Sequence, residues 1–271
     1  MEKKKNLLFI ILLLISISLI IVSSLNIIKW YKDNLKTKEV IKNIESVTTI
    51  TEIEDNNNTE IIEQKEKEHK DSPYWNYIKM NLINVDFNEL KSINKDTVGW
   101  IQVNGTNINY PFVQTTDNSY YLTHSFDKKY TDAGWVFLDY RNNIKEFDRN
   151  TIIYAHARKD RTMFGSLKNI LKSGWLDDTN NYVIKLSTEY ENTLWQVFSI
   201  YHIPTTNDYI QVIFNSDNEY LEFLNLIKNR SKHNFNTNVS ETDKILTLST
   251  CYTNNEKLVL HAKLIKKEAR N

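Results

Sequence analysis

The stretch that most restricts the fold lies near the end of the chain. It runs Lys244-Ile-Leu-Thr-Leu-Ser-Thr-Cys251, then a polar turn Tyr252–Glu256, then Lys257-Leu-Val-Leu-His-Ala-Lys-Leu-Ile265. Both runs alternate as strands do, with successive side chains on opposite faces. Thr247, Ser249 and Cys251 therefore share one face, and Leu246 and Leu248 the other. In the second run Leu258, Leu260, Ala262 and Leu264 form an apolar face opposite Lys257, Val259 and His261. A turn centred on Asn254 pairs Leu248 with Leu260, Leu246 with Ala262 and Cys251 with Lys257. A two-residue Asn254-Asn255 turn pairs Leu248 with His261 and mixes the faces. A one-residue slip sends an apolar face to the wrong side, so the first register is expected. It makes Lys257 the cross-strand neighbour of Cys251, with Cβ atoms about 5 Å apart. A cation beside a thiol favours the thiolate and can hold an anion there.

A lone cysteine is ordinarily a small buried hydrophobe. Cys251, the only one among 271 residues, instead ends a strand on a polar face beside a turn. One cysteine excludes an intramolecular disulfide framework. Equal numbers of cationic and acidic residues, 34 of each, argue against a general nucleic-acid or polyanion binder. No His/Cys/carboxylate spacing suggests a metal site, and no glycine-rich phosphate loop is present. No cofactor is expected.

Three lysines, Lys3 to Lys5, precede an apolar run from Leu7 to Leu25 broken only by serines. Its length matches the roughly 20 residues of a membrane helix, and the basic flank places residues 1–6 inside and the remainder outside. A cleaved signal peptide competes with this reading, with Val22-Ser-Ser24 as its small-residue site. An uncleaved anchor over 7–28 is the expectation, with Trp30 and Tyr31 at the outer interface. Residues 29–71, polar and poor in large apolar side chains, read as a solvated stalk. The folded domain is expected over 72–271. Trp75, Ile78 and Leu82 fall on one helical face, and Phe87, Leu90 and Ile93 suggest a second short helix. Short strands follow at Val98–Val103, Ile108–Gln114, Gly134–Asp139, Asn150–His156, Tyr182–Leu186 and Thr193–Ile200, separated by turn residues. Helices are expected at Phe164–Leu171 and Asp217–Lys228. Many short strands with few helices point to a mainly β fold, a closed or nearly closed barrel.

Thr-Leu-Ser-Thr-Cys251, a short loop and a basic residue leading into a Val/His/Ala strand resemble the active-site hairpin of the sortases, cysteine transpeptidases of Gram-positive cell surfaces. Asp96-Thr-Val-Gly-Trp-Ile, Ile108-Asn-Tyr-Pro, Gln114 with Asp117-Asn118, Tyr120-Tyr-Leu, Phe137-Leu-Asp-Tyr-Arg141 and Asn150-Thr-Ile-Ile-Tyr-Ala-His156 are similar, in order, to class B members. The resemblance covers roughly Tyr74 to Ile265. It implies a closed barrel of about eight strands, with an N-terminal helical extension and a helix inserted between late strands.

The resemblance also implies roles. Cys251 is the nucleophile. Of six histidines, His69 lies in the stalk, His124, His202 and His233 lie near strand ends or in loops, and His261 sits far along the last strand. His156 ends an apolar strand and opens a loop, where active-site residues tend to sit. On its residues alone a structural role is the commoner case; the resemblance makes it the general acid/base. The family places an arginine where this chain has Lys257, and lysine lacks the planar fork of arginine. Lys257 fills the role less well, Arg158 or Arg141 substitutes from a loop, the enzyme is impaired, or Lys257 is a solvated strand-end residue. Ser249, with Thr250 beside it, and Tyr209 and Ile210 are implied substrate-groove residues. The implied partners are secreted proteins bearing a C-terminal sorting motif and a peptidoglycan amine, met at the outer face of the cell membrane. Two rivals stand beside this reading: a hydrolytic cysteine peptidase, and a degenerate domain that binds sorting motifs without turnover.

Overall fold

A computed structural model describes residues 2–62, 70, 72–172 and 174–270; His69 lies outside them. Helix α1 (Glu2–Val47) is continuous over 46 residues. Its apolar part is exposed on all sides from Leu7 to Ile28, whereas Asn34, Thr37 and Ile44 are buried against the domain. Residues 29–47 of the segment expected to be a solvated stalk thus continue α1, and part of them packs on the domain. Thr37, Val40, Ile41 and Ile44 make an i, i+3, i+4, i+7 stripe, which the charged residues between them hide in any compositional average. Beyond α1, strand β1 (Ile50–Ile53) pairs with β3 (Leu82–Val85), and β2 (Thr59–Ile61) pairs with the last strand of the chain.

Leu82 belongs to that β3 strand, not to a helix carrying Trp75 and Ile78. Helix α2 is a single turn (Tyr74–Tyr77) that buries Tyr74 and Tyr77 and leaves Trp75 exposed. Leu82, Ile83 and Val85 are all buried, and a β-branched run with an available partner strand is better satisfied as a strand. Helix α3 (Asn88–Ile93) follows as expected.

The barrel is built from β4 (Thr97–Val103), β5 (Asn109–Val113), β6 (Phe137–Leu138), β7 (Asn150–Tyr154), β8 (Val183–Thr188), β9 (Glu191–Pro204), β10 (Ile245–Cys251) and β11 (Glu256–Ala269). Their order is β10-β7-β6-β5-β4-β8-β9-β11, and the β10–β11 pairing closes the ring. The Gly134–Asp139 stretch is a strand only over the two residues of β6, and the Phe164–Leu171 stretch contains a 3₁₀ helix over Gly165–Asn169. Leu246, Leu248, Leu258, Leu260 and Ala262 point into the main core with Trp100, Phe112 and Trp195. Helix α4 (Asp217–Asn229) begins at a Ser216 cap whose hydroxyl accepts from the Glu219 amide. It lays Tyr220, Phe223, Leu224 and Ile227 over the outside of the barrel, against Ile245 and Val259.

The first strands have an electrostatic reason to dock. Lys185 and Lys266 are buried, and their carboxylate partners come from residues 50–55. Lys266 Nζ lies 2.5 Å from Asp55 and also donates to the Ile78 carbonyl at 2.9 Å, while Lys185 Nζ lies 3.7 Å from Glu52. A chain beginning at Ser72 lacks both carboxylates, β1 and β2. Removing one partner of a buried ion pair typically costs about 3–5 kcal/mol. Because Asp55 is half exposed, a loss of roughly 2–4 kcal/mol is expected for this chain relative to one beginning at Lys29. Urea unfolding of the two pieces checks it; equal midpoints and slopes would show that residues 29–71 add nothing to the domain.

Candidate active site

Strands β7 and β10 are adjacent and parallel, with Tyr154 opposite Ser249. His156 and Cys251 each lie two residues beyond that pair, so the parallel register brings them to the same end of the barrel, where both line one groove. Two bonds hold the pair of strands together there: the Thr250 hydroxyl donates to the Ala155 carbonyl at 2.7 Å, and the Ala155 amide donates more loosely to the Ser249 carbonyl at 3.4 Å.

The hairpin has the register that its apolar pattern demands. Leu248 pairs with Leu260, Leu246 with Ala262 and Cys251 with Lys257. Lys257 Nζ lies 3.3 Å from Cys251 Sγ, both groups half-buried. The turn is held from outside, since Tyr252 stacks on His202 at 4.6 Å, and His202 Nδ1 lies 3.2 Å from a Glu256 carboxylate oxygen. The rest of the polar face of β10 is consumed internally. The Thr247 hydroxyl bonds Asn150 Oδ1 at 2.6 Å and His261 Nδ1 at 2.9 Å, and Ser249 Oγ lies 3.0 Å from the Tyr209 hydroxyl. Cys251 is where that buried stripe opens to the surface.

His156 is fixed by a 2.8 Å bond from its Nε2 to the Leu122 carbonyl, which leaves Nδ1 as the ring nitrogen not engaged in that bond. Its ring fits against Gly134, whose φ is +58°. A Cβ there would meet the Tyr121 carbonyl oxygen at 2.5 Å and His156 Cδ2 at 3.0 Å. The other described histidines are engaged elsewhere. His261 is fully buried, bonded to Tyr201 at 2.9 Å, and held by burial down to about 3, so it stays neutral and serves packing.

Cys251, His156 and Lys257 open into a groove of about 440 Å³ together with Ser249, Thr250, Tyr209 and Ile210. All seven sequence-expected residues therefore converge. Thr250 contributes wall rather than a free hydroxyl, because that hydroxyl is bound to Ala155. The groove also takes in Asn118, Leu122, Phe137, Tyr154 and Thr205 to Asn207. These residues entered the sequence reading, where they entered it at all, only inside motifs. Neither arginine offered as a substitute for Lys257 reaches the thiol. Arg158 is ion-paired with Asp33 of α1 at 3.3 Å and with Asp160 at 3.5 Å, and Arg141 is forked onto Asp139. Among the described groove residues, Lys257 is the lysine or arginine that lies beside the thiol.

Comparison with known proteins bears on what such a site belongs to. Residues 101–265 match the family model described as the Sortase domain. The chain belongs to the sortase family. Sortase B of Staphylococcus aureus strain NCTC 8325 is 39% identical over 184 residues, which cover 66% of this chain and 75% of that one. Among solved structures, sortase B from Bacillus anthracis in complex with AAEK1 is 41% identical with a TM-score of 0.62, covering 66% of this chain and 84% of its own. A sortase B complexed with triglycine is 38% identical, also at 0.62, covering 66% and 85%. This sortase is accordingly a cysteine transpeptidase similar to class B.

Behind the groove of the sortase lies a buried carboxylate. Asp139 Oδ2 accepts from the Tyr154 hydroxyl at 2.9 Å, Asn118 Nδ2 at 3.0 Å and Arg141 Nη2 at 2.6 Å. Arg141 Nη2 in turn donates to the Ile210 carbonyl at 3.0 Å. One carboxylate thus ties floor, wall and rim together. Burial pushes the Asp139 carboxyl up, but the bonds from Arg141 and Tyr154 outweigh it and hold it below the ordinary carboxylate range. Burial and the adjoining Asp139 charge push the Tyr154 phenol upward, so it remains a donor. Asp139→Asn is expected to destabilise the domain near the low end of about 3–5 kcal/mol, because Arg141 can regain water. It should raise the peptide KM about tenfold, the equivalent of 1.4 kcal/mol, and leave kcat near the wild-type value. A fall in kcat with unchanged KM in steady-state assays would contradict this.

Proposed function

We propose that this transpeptidase is anchored by α1 in the cell membrane and joins secreted proteins to a cell-wall amine. The observation that carries the reading is Lys257 Nζ at 3.3 Å from Cys251 Sγ, at the mouth of a groove that also holds His156. His156 and Lys257 are the only ionisable side chains besides the thiol and the two tyrosines among the described groove residues. Such a lining accepts an uncharged, extended peptide. The Cys251 thiolate attacks the carbonyl at the scissile bond of a sorting motif, most simply after its threonine. Lys257 donates to the oxyanion that forms. The C–N bond breaks as His156 gives its proton to the leaving amine, which leaves a thioester on Cys251. An amine then enters and attacks the thioester, His156 takes its proton, the new amide forms and the thiolate departs.

A peptidoglycan cross-bridge or lipid-linked amine is the proposed acceptor, supported by the relative whose structure is a complex with triglycine. Support for the anchor is the apolar stretch of α1, long enough to cross a membrane and with none of its side chains buried in the domain. Residues 1–6 are assigned to the cytoplasm, 7–28 to the membrane, and the remainder to the outer face. Incubating the full chain in detergent with sorting-motif peptides, with and without triglycine, tests the reaction. Transfer of the acyl peptide to triglycine is expected. Release of the free acid alone at every amine concentration would show a hydrolytic peptidase instead.

A further inference from the structure

The contacts of α1 set the height of the domain above the lipid, and two of its loops stand at the level where α1 leaves the apolar run. Lys29 Nζ lies 2.9 Å from Asp132. Asp33 accepts from the Thr131 hydroxyl and pairs with Arg158, which also bonds Asn34. Helix α1 is unbroken between Ile28 and these residues. At 1.5 Å rise per residue, the 128–132 and 156–163 loops are therefore tied about 2–9 Å above Ile28. The headgroup layer on each side of a bilayer is about 5–8 Å thick. The two bands coincide.

The side chains at this level suit that layer. Tyr130 is 66% exposed, with its ring edge-on to His124 at 6.0 Å and its hydroxyl donating to Asp132 at 3.1 Å, and Trp30 and Tyr31 are exposed on α1 itself. Interfacial aromatics of this kind mark the membrane–water boundary. Most charges nearby are paired internally: Lys29 with Asp132, Lys128 with Asp96, Lys129 with Asp127 and Arg158 with Asp33. Lys32, Lys159 and Arg161 are exposed and have no acidic partner among the described residues. We infer that the face carrying Tyr130, Lys159 and Arg161 rests in the lipid headgroup layer, its unpaired cations on anionic headgroups, so that the loop following His156 works at the membrane surface. This rests on the reading of α1 as a membrane anchor.

Site-directed spin labels test both levels separately. In full-length Cys251→Ala chains an introduced cysteine is the only thiol, and labels go to Ile17, Ser46, Tyr130 and Lys159, all exposed positions. Ser46 is about 27 Å above Ile28 along α1 and reports bulk water. In nanodiscs containing phosphatidylglycerol, labels at 130 and 159 are expected to lose collision with a water-soluble nickel relaxant relative to 46, while remaining more accessible than 17. Relaxation at 130 and 159 equal to that at 46, with 17 shielded, overturns the headgroup contact and leaves the anchor standing. An accessible 17 overturns the anchor and this inference with it. Shielding of 159 that is as strong in purely zwitterionic discs overturns the assignment of the cations to anionic headgroups.

Discussion

Replacing Cys251 by alanine is expected to abolish acyl transfer altogether, with no residual turnover above the uncatalysed background, and to leave peptide binding intact. The loss is total because the chain has no second thiol and the described groove offers no comparable nucleophile. The Ser249 hydroxyl is bonded to Tyr209 and that of Thr250 to the Ala155 carbonyl. Binding survives because Asn118, Leu122, Phe137, Tyr154 and Ile210 shape the groove without using the thiol. Rate assays on the variant, with calorimetric titration of the same peptide, read the two quantities. A variant that still transfers acyl groups would remove the thioester from the mechanism. Equal binding by a wild-type chain that never turns over would favour the degenerate binding domain.

The second large effect belongs to Lys257. Loss of a donor to a developing oxyanion typically costs about 10²–10³ in rate, and Lys257→Ala is expected to lose that much in kcat/KM. Lys257→Arg should retain or exceed the natural rate, because a guanidinium can grip two acceptors where an ammonium presents a point charge. The side chain already reaches the thiol, 3.3 Å away, and Arg158 and Arg141 are held by Asp33 and Asp139, so no nearby arginine masks the loss. Kinetics of the three chains with one peptide and one amine distinguish the cases. Equal rates for wild type and Lys257→Ala would make the residue a solvated strand end. An inert wild type rescued by arginine would mark an impaired enzyme.

What could be read from residues alone follows from how local each signal is. The β10–β11 register was legible because only one alignment keeps Leu246 and Leu248 facing Leu260 and Ala262, and that alignment alone puts Lys257 across from Cys251. The neighbourhood of His156 was not legible that way. It depends on the parallel β7–β10 pairing between segments almost 100 residues apart, and only the family resemblance pointed to it. The docked half of α1 was hidden because Thr37, Val40, Ile41 and Ile44 are diluted by Lys and Glu. Charged neighbours also concealed β1, whose docking depends on Glu52 and Asp55 reaching buried lysines far along the chain. Leu82 misled for the opposite reason, falling at helical spacing from Trp75 although its own neighbours Ile83 and Val85 are strand formers. Asp139 lies just beyond a two-residue strand, and nothing local announces that Tyr154, Asn118 and Arg141 converge on it.

The most direct test of the account is the mass of the intact full-length chain after mixing with a pool of sorting-motif peptides, followed by triglycine. The expected result is an acyl adduct mapped to Cys251 that disappears as the amine-linked peptide accumulates. No adduct from any peptide, in either the natural chain or the Lys257→Arg chain, or an adduct on a residue other than Cys251, would contradict it.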